Sequence, residues 1–309
     1  MGAHLGQWRG GLVAACALLY ALVACGDGSK GPTAPTPPST PTSPPPVSPI
    51  TAVLVGAGDI ALCGGEGARQ TAALLTGIDG TVTAVGDLAY MEGTAEQFLR
   101  CYDPTWGPFK SRTRPIPGNH EYMTAGAAAY YAYFGDRAGP PGLGYYSYQA
   151  GTWLVLAMNS NIPVGAGSAQ LEWARSELRG ATSPCVAVYV HHPRFSSGPN
   201  GNSDNVRDLW ALLYEYKVEF VVSGHDHLYE RYAPQDGAGR LDLERGVRMF
   251  VSGTGGHDAY AVTRVQPNSE VRYSGWGVLK FTLASDRYSW DFIAVPGQSF
   301  SDMGTTTCH

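Results

Sequence analysis

Strand-like runs in this sequence end, one after another, in Asp, Asn or His. Asp59 closes TAVLVGAGD and Asp87 closes TVTAVGD. Asn119 follows TRPIPG, and His191 ends CVAVYVH. The stretch VVSGHDHLYER then sets His225 and His227 two residues apart behind an apolar run. Each ending alone has an ordinary reading. A Gly-Asp pair is a turn, GNH has turn composition, and HDH can be a polar loop. Five such endings in one chain are hard to assign to turns. Carboxylate, amide and imidazole together are metal-ligand chemistry. Ligands of open α/β sheets collect at the carboxyl ends of strands, where these residues fall.

The elements that must position them can be read from periodicity. TAVLVGAGD and TVTAVGD predict buried strands running into glycine, and residues 66–76 predict a helix between them. TAEQFL starts a helix, with Thr94 and Gln97 at capping-box spacing. AAAYYAYF and SAQLEWARSELRG are helical. GYYSYQA and TWLVLAMNS alternate as adjacent strands. In SDNVRDLWALLYEY, Val206, Leu209, Trp210, Leu213 and Tyr214 make one helical face. GVRMFVSGTGG, WGVLKFTL and RYSWDFIAV supply late strands. The pattern is α/β: sheet layers covered by helices.

With the motifs in place, the chain resembles the calcineurin-like metallophosphoesterases and, within them, the purple acid phosphatases. GDIA (58–61), GDLAY (86–90), GNHE (118–121), VYVH (188–191) and GHDH (224–227) match the family motifs in family order. The resemblance implies a four-layer fold, two packed mixed β-sheets flanked by helices. It implies a first metal on Asp59, Asp87, Tyr90 and His227, and a second on Asp87, Asn119, His191 and His225. Many relatives carry a histidine where Ala61 stands, and Tyr90 would supply the missing ligand. A phenolate needs a strong Lewis acid, since a free tyrosine has a pKa of about 10. Iron(III) suits that site, and divalent iron, zinc or manganese suits the other. The implied reaction is hydrolysis of a phosphate monoester by a hydroxide bridging the two cations. A phosphodiesterase or nucleotide hydrolase on the same centre is the alternative, and a non-catalytic surface binding protein a remote one.

The resemblance makes His120 a non-ligating proton-transfer group that touches substrate, oriented by Glu121. Asn119 would also meet substrate. His192 directly follows His191, and adjacent strand residues point to opposite faces. The two are therefore not both expected to ligate; the VxxH motif of the resembled family selects His191, while His192 either faces substrate and takes part in catalysis or is buried beside the site. Arg194 is a candidate for a phosphate oxygen or a plain surface arginine. His257, in the glycine-rich VSGTGGH, is a further candidate for substrate contact. Plant purple acid phosphatases place substrate-facing histidines after the VxxH segment, whereas SSGPNGNSDN (196–205) has none. They also carry an amino-terminal β-sandwich domain absent from this sequence.

The remaining features concern export. Residues 1–25 have a positive start and an apolar run, an export-signal pattern. The run ends in LVAC, which resembles the lipobox of bacterial lipoproteins. There Cys25 would be lipidated, holding the protein in the bilayer of the cell envelope outside the cytoplasm. Residues 26–50 hold 9 of the 22 prolines and predict an extended tether, not a core. The folded domain is then 51–309. The net charge of −5, with no basic block, argues against a nucleic-acid partner. Four cysteines remain, and an exported chain keeps disulfides. Of three connectivities, Cys63–Cys101 would tie two loops and Cys185–Cys308 would pin the tail to a strand start. A thiol-metal site lacks any CxxC spacing.

Overall fold

The computed structural model describes residues 49–309. The export signal, Cys25 and nearly all of the tether lie outside the described residues. The domain begins one residue earlier than the sequence suggests, with β1 (Ile50–Ala57). The strands that follow are β2 (Thr81–Val85), β3 (Thr113–Ile116), β4 (Tyr146–Ala150), β5 (Trp153–Met158), β6 (Val186–Val190) and β7 (Phe220–Ser223). Then come β8 (Tyr229–Tyr232), β9 (Arg248–Ser252), β10 (Ser269–Tyr273), β11 (Gly277–Ala284), β12 (Arg287–Ala294) and β13 (Ser301–Thr307). They form a six-stranded sheet, β13-β12-β11-β1-β2-β3, and a seven-stranded sheet, β10-β8-β9-β7-β6-β5-β4. Both sheets are mixed. β1, β2 and β3 run parallel, as do β5, β6, β7 and β9.

The helices are α1 (Gly67–Thr76), α2 (Ala95–Gln97), α3 (Ala128–Phe134), α4 (Ala169–Gly180) and α5 (Arg207–Glu215). The period of two along each strand divides the side chains between layers. In β5, Leu154, Leu156 and Met158 pack with Leu171 and Leu178 of α4 and Leu209 and Leu213 of α5. Val155 and Ala157 point the other way, into a core shared with Leu54, Phe281 and Trp290 of the six-stranded sheet. Val55 and Ala57 of β1 lie under α1 and α3, with Ala72, Leu75 and Tyr130. The result is two mixed sheets packed face to face and flanked by helices. Phe220 and Phe281 stack between the sheets, ring centroids 4.1 Å apart.

Local signals explain the ends of several elements. Thr94 and Gln97 form the reciprocal capping box, each side chain taking the other's backbone N–H. α2 then passes into a π-helical turn, Phe98–Tyr102. Cys101 sits on that turn and not on a loop, paired with Cys63 at a Cα separation of 4.9 Å. Cys185 and Cys308 pair at 5.9 Å and join the start of β6 to the end of β13. Among the described residues no helix is long and apolar enough to cross a membrane.

Candidate metal centre

The parallel strands of both sheets deliver their carboxyl ends to one place. Asp59 follows β1, Asp87 follows β2, Asn119 follows β3, His191 follows β6, and His225 and His227 follow β7. The loops between them are tied backbone to backbone: Gly58 N–H to Ser252 O, Asp59 N–H to Gly86 O and Ile60 N–H to Asp87 O, at 2.9, 3.0 and 2.9 Å. Asp59, Asp87 and His225 adopt φ of 60°, 54° and 71°, a left-handed backbone that non-glycine residues rarely take. Such strain costs on the order of 1–3 kcal/mol per residue and gathers at functional sites. The glycines beside them are needed for close approach. A Cβ on Gly118 would run into the Asp87 carboxylate, and one on Gly86 into the His191 ring.

Two sets of donor atoms result. In the first, Tyr90 Oη lies 2.8 Å from Asp59 Oδ1, 3.2 Å from Asp87 Oδ2 and 3.2 Å from His227 Nε2. His227 Nε2 is 3.3 Å from Asp59 Oδ1. In the second, His191 Nε2 lies 3.2 Å from Asp87 Oδ2 and 3.1 Å from Asn119 Oδ1. Asn119 Oδ1 is also 2.9 Å from His225 Nδ1. Asp87 Oδ2 belongs to both sets. Asp87, His191 and His225 place one ligand atom each within 4.8 Å of one another.

This donor set fits cations. The Nδ1–H of His191 donates to Val85 O and that of His227 to Asp258 O, both at 2.9 Å. Those partners fix the tautomer and turn each Nε2 lone pair inward. Tyr90 brings a single proton to a cluster otherwise made of lone pairs. Neighbouring ligand atoms about 3 Å apart are what six-coordinate bonds of roughly 2.1 Å produce. The buried carboxylates also call for positive charge. Burial opposes it, yet Asp87 draws His191 up to about 9, and Asp59 raises His227. Burial, then the Asp59 and Asp87 carboxylates, push the Tyr90 phenol well above its ordinary value. Only a strong Lewis acid would make that oxygen a phenolate.

Residues 54–229 match the family model for calcineurin-like phosphoesterases. The chain belongs to that family. It is 31% identical over 188 residues to an uncharacterized Mycobacterium tuberculosis protein, covering 50% of this chain and 35% of that one. It is 26% identical over 215 residues to a probable purple acid phosphatase from Arabidopsis thaliana, covering 60% and 48%. The chain thus spans a third to a half of the length of these relatives. A purple acid phosphatase structure from yellow lupin shares its fold, with a TM-score of 0.73 at 19% identity over 84% of this chain and 54% of that one.

The other candidates of this calcineurin-like phosphoesterase surround the donors. His120 Nε2 comes no closer than 3.8 Å to Asp87 Oδ2, while its backbone N–H donates to Asp87 Oδ1 at 2.8 Å. Glu121 does not orient His120. Its buried carboxylate accepts the backbone N–H groups of Asp87, Leu88, Ala89 and Gly118 at 2.7–3.2 Å. It therefore shapes the loop that presents Asp87. Burial and the Asp87 charge push Glu121 up to about 7, against the Gly118, Leu88 and Ala89 donors.

β6 ends at Val190, so neither His191 nor His192 lies within the strand. Both approach the cluster, and the His192 ring sits 4.3 Å from that of His225. Ser160, which the sequence did not single out, holds His192: its Oγ accepts the His192 N–H at 3.1 Å and lies 2.7 Å from Nδ1. Burial, with His191 and His225 alongside, pushes His192 well below its ordinary value and keeps the ring neutral. Arg194 is engaged elsewhere, 3.1 Å from Asp204 and over the Phe195 ring. Asp226, between the two histidines, accepts Ser196 Oγ–H and the Asn200 N–H. It pins the 196–202 loop and is no ligand of the cluster. A second grouping, Cys185, Glu219 and Cys308, has its sulfurs in a disulfide and keeps one carboxylate.

Proposed function

We propose that this chain hydrolyses phosphate monoesters at a dinuclear metal centre, in the manner of a purple acid phosphatase. The observation that carries the reading is Asp87 Oδ2, common to a tyrosine-containing donor set and an imidazole-rich one. Asp59, Asp87, Tyr90 and His227 would hold iron(III). Asp87, Asn119, His191 and His225 would hold divalent iron, zinc or manganese. Cations held there would supply Lewis-acid charge to the phosphoryl group and would lower the pKa of a bound water toward neutral. The chain does the rest. Glu121 fixes the Asp87 loop. The Asn119 amide N–H donates to a phosphoryl oxygen, and its Oδ1, beside His191 Nε2 and His225 Nδ1, would be the atom offered to the second cation. His120, whose Nδ1–H is held by Met91 O, would in its doubly protonated form give its Nε2 proton to the leaving-group oxygen and return to the neutral imidazole. His192, held by Ser160, gives its Nε2–H to a phosphoryl oxygen on the His225 side.

The 196–205 loop, which has no histidine, favours a second reading. With Asp226 holding it down, that rim offers no basic side chain of its own to the second charge of a monoester. A diester would fit such a rim. Parallel turnover of para-nitrophenyl phosphate and its bis-ester by the metal-loaded full chain separates the two. A kcat/KM at least tenfold higher for the monoester supports the first reading, and the reverse order replaces it. Hydrolysis of neither by protein carrying two metals per chain would leave a binding role. The envelope location and the lipid anchor at Cys25 rest on the LVAC stretch alone. Release from membranes by salt without detergent would remove the anchor.

A further inference from the structure

β6 and β7 start side by side, at the ends opposite the cluster. One residue ahead of each stands a metal-ligand side chain, Cys185 before β6 and Glu219 before β7. Cys308 follows β13 and meets Cys185 in the disulfide. The two sulfurs and one Glu219 carboxylate oxygen lie within 4.8 Å of one another. Tetrahedral zinc bonds of about 2.0–2.3 Å set ligand atoms roughly 3.3–3.8 Å apart. Once the S–S bond opens, the sulfurs can part to that spacing. Glu219 is only 3% exposed, and carboxylates are seldom so buried.

The backbone holds all three residues. Cys185 O accepts the Leu154 N–H at 3.2 Å, Glu219 N–H donates to Val186 O at 3.0 Å, and Cys308 N–H donates to Asp286 O at 2.8 Å. The carboxylate is oriented as well. The His309 N–H donates to its two oxygens at 3.1 and 3.3 Å, and His309 Nδ1 lies 3.2 Å from Oε2. Carboxylate ligands of metals are held by such outer partners. A cavity of about 120 Å³, lined by Glu219, Cys308, His309 and Arg248, opens on the group. It has room for an entering ion and its water. Two thiolates and Glu219 bring three negative charges. A divalent cation leaves one, which the Arg248 guanidinium on the cavity wall offsets.

We propose that reduction of Cys185–Cys308 converts this group into a zinc site of two thiolates and one carboxylate, with water from the cavity in the fourth position. A dithiol supplies the two electrons. Its thiolate attacks Cys308, the more open of the two cysteines, and Cys185 leaves as a thiol. The second thiol of the reductant then closes its own disulfide and releases Cys308 as a thiol. Zinc displaces the two thiol protons to solvent as two Zn–S bonds form. Thiolate ligands favour zinc over hard cations. The end of β13 stays tied to the start of β6 in both states, by a covalent bond in one and through the metal in the other.

The test uses the full chain, saturated with iron and zinc while oxidised and freed of excess metal. It is reduced with dithiothreitol, separated from the reductant under argon and titrated with cobalt(II), a coloured stand-in for zinc. One further cobalt equivalent with thiolate-to-cobalt absorption is expected in the reduced chain and none in the oxidised chain. His309→Ala should weaken that binding roughly 10–100-fold, the usual cost of losing an outer partner, and Glu219→Gln should weaken it more. Joint Cys185→Ser and Cys308→Ser should abolish the thiolate absorption, and joint Cys63→Ser and Cys101→Ser should keep it. Reduced wild type without that absorption overturns the site, as does absorption that survives the loss of Cys185 and Cys308. Cobalt affinity unchanged in Glu219→Gln also overturns it. Should that variant fail to fold, unchanged affinity in His309→Ala does the same.

Discussion

The two donor sets share one carboxylate oxygen but differ in nearly everything else. In the first, Asp59, Asp87, Tyr90 and His227 are all at most 4% exposed, and three of the four donors are oxygens. In the second, only Asp87 and His191 are fully buried, while Asn119 and His225 stand half-buried at the rim. On the proposed reading, the oxygen-rich, closed set would suit a hard cation that stays. The imidazole-rich, half-open set would suit a divalent ion that exchanges and could meet substrate. Each half also has a histidine beside it. The His257 ring lies 4.1 Å from that of Tyr90 in the first, and His192 is held by Ser160 in the second.

The largest effect should come from the residue that belongs to both halves. Asp87→Ala is expected to lose both metals and to bring hydrolysis to background, by elemental analysis and phosphate release on one preparation. Retention of one full metal equivalent would mean that the halves are independent. His120→Ala should keep both metals and lower turnover about 10²–10⁴-fold, with a smaller loss on para-nitrophenyl phosphate, whose leaving group needs little proton donation. A metal lost with His120 would place it among the ligands.

The next comparison separates the halves. Tyr90→Phe should bleach the visible band and weaken iron binding while the divalent ion stays. His225→Ala should weaken the divalent site and leave the band. Loss of the same metal from both variants would erase the distinction. Ser160→Ala should act most mildly. It frees the His192 ring and is expected to raise KM roughly fivefold, the worth of one neutral hydrogen bond, with metal content unchanged.

Much of this arrangement was legible because the ligands punctuate apolar strands. The runs before Asp59, Asp87, Asn119, His191 and His225 are the strands found, and their parallel direction gathers their ends. β13 was not legible. SDMGTTT has no apolar alternation, and its inward residue is Asp302, held by Arg231, Tyr229 and Trp290. β8 was hidden because YERY reads as the continuation of the histidine loop, and its Glu230 is buried against Ser197. The roles of Glu121 and Ser160 depend on residues more than 30 positions away, which no local spacing displays. His257 was visible as a histidine beside glycines, but its buried Nε2 and its contact with the Tyr90 ring exist only in the folded chain.

Metal content per chain bears most directly on the shared-carboxylate centre. The full-length protein, purified in detergent without chelator and supplemented with iron and zinc, would be measured by elemental analysis against protein concentration. Two metal equivalents per chain are expected, one of them iron with its visible band. A reproducible plateau at one equivalent would contradict the dinuclear centre.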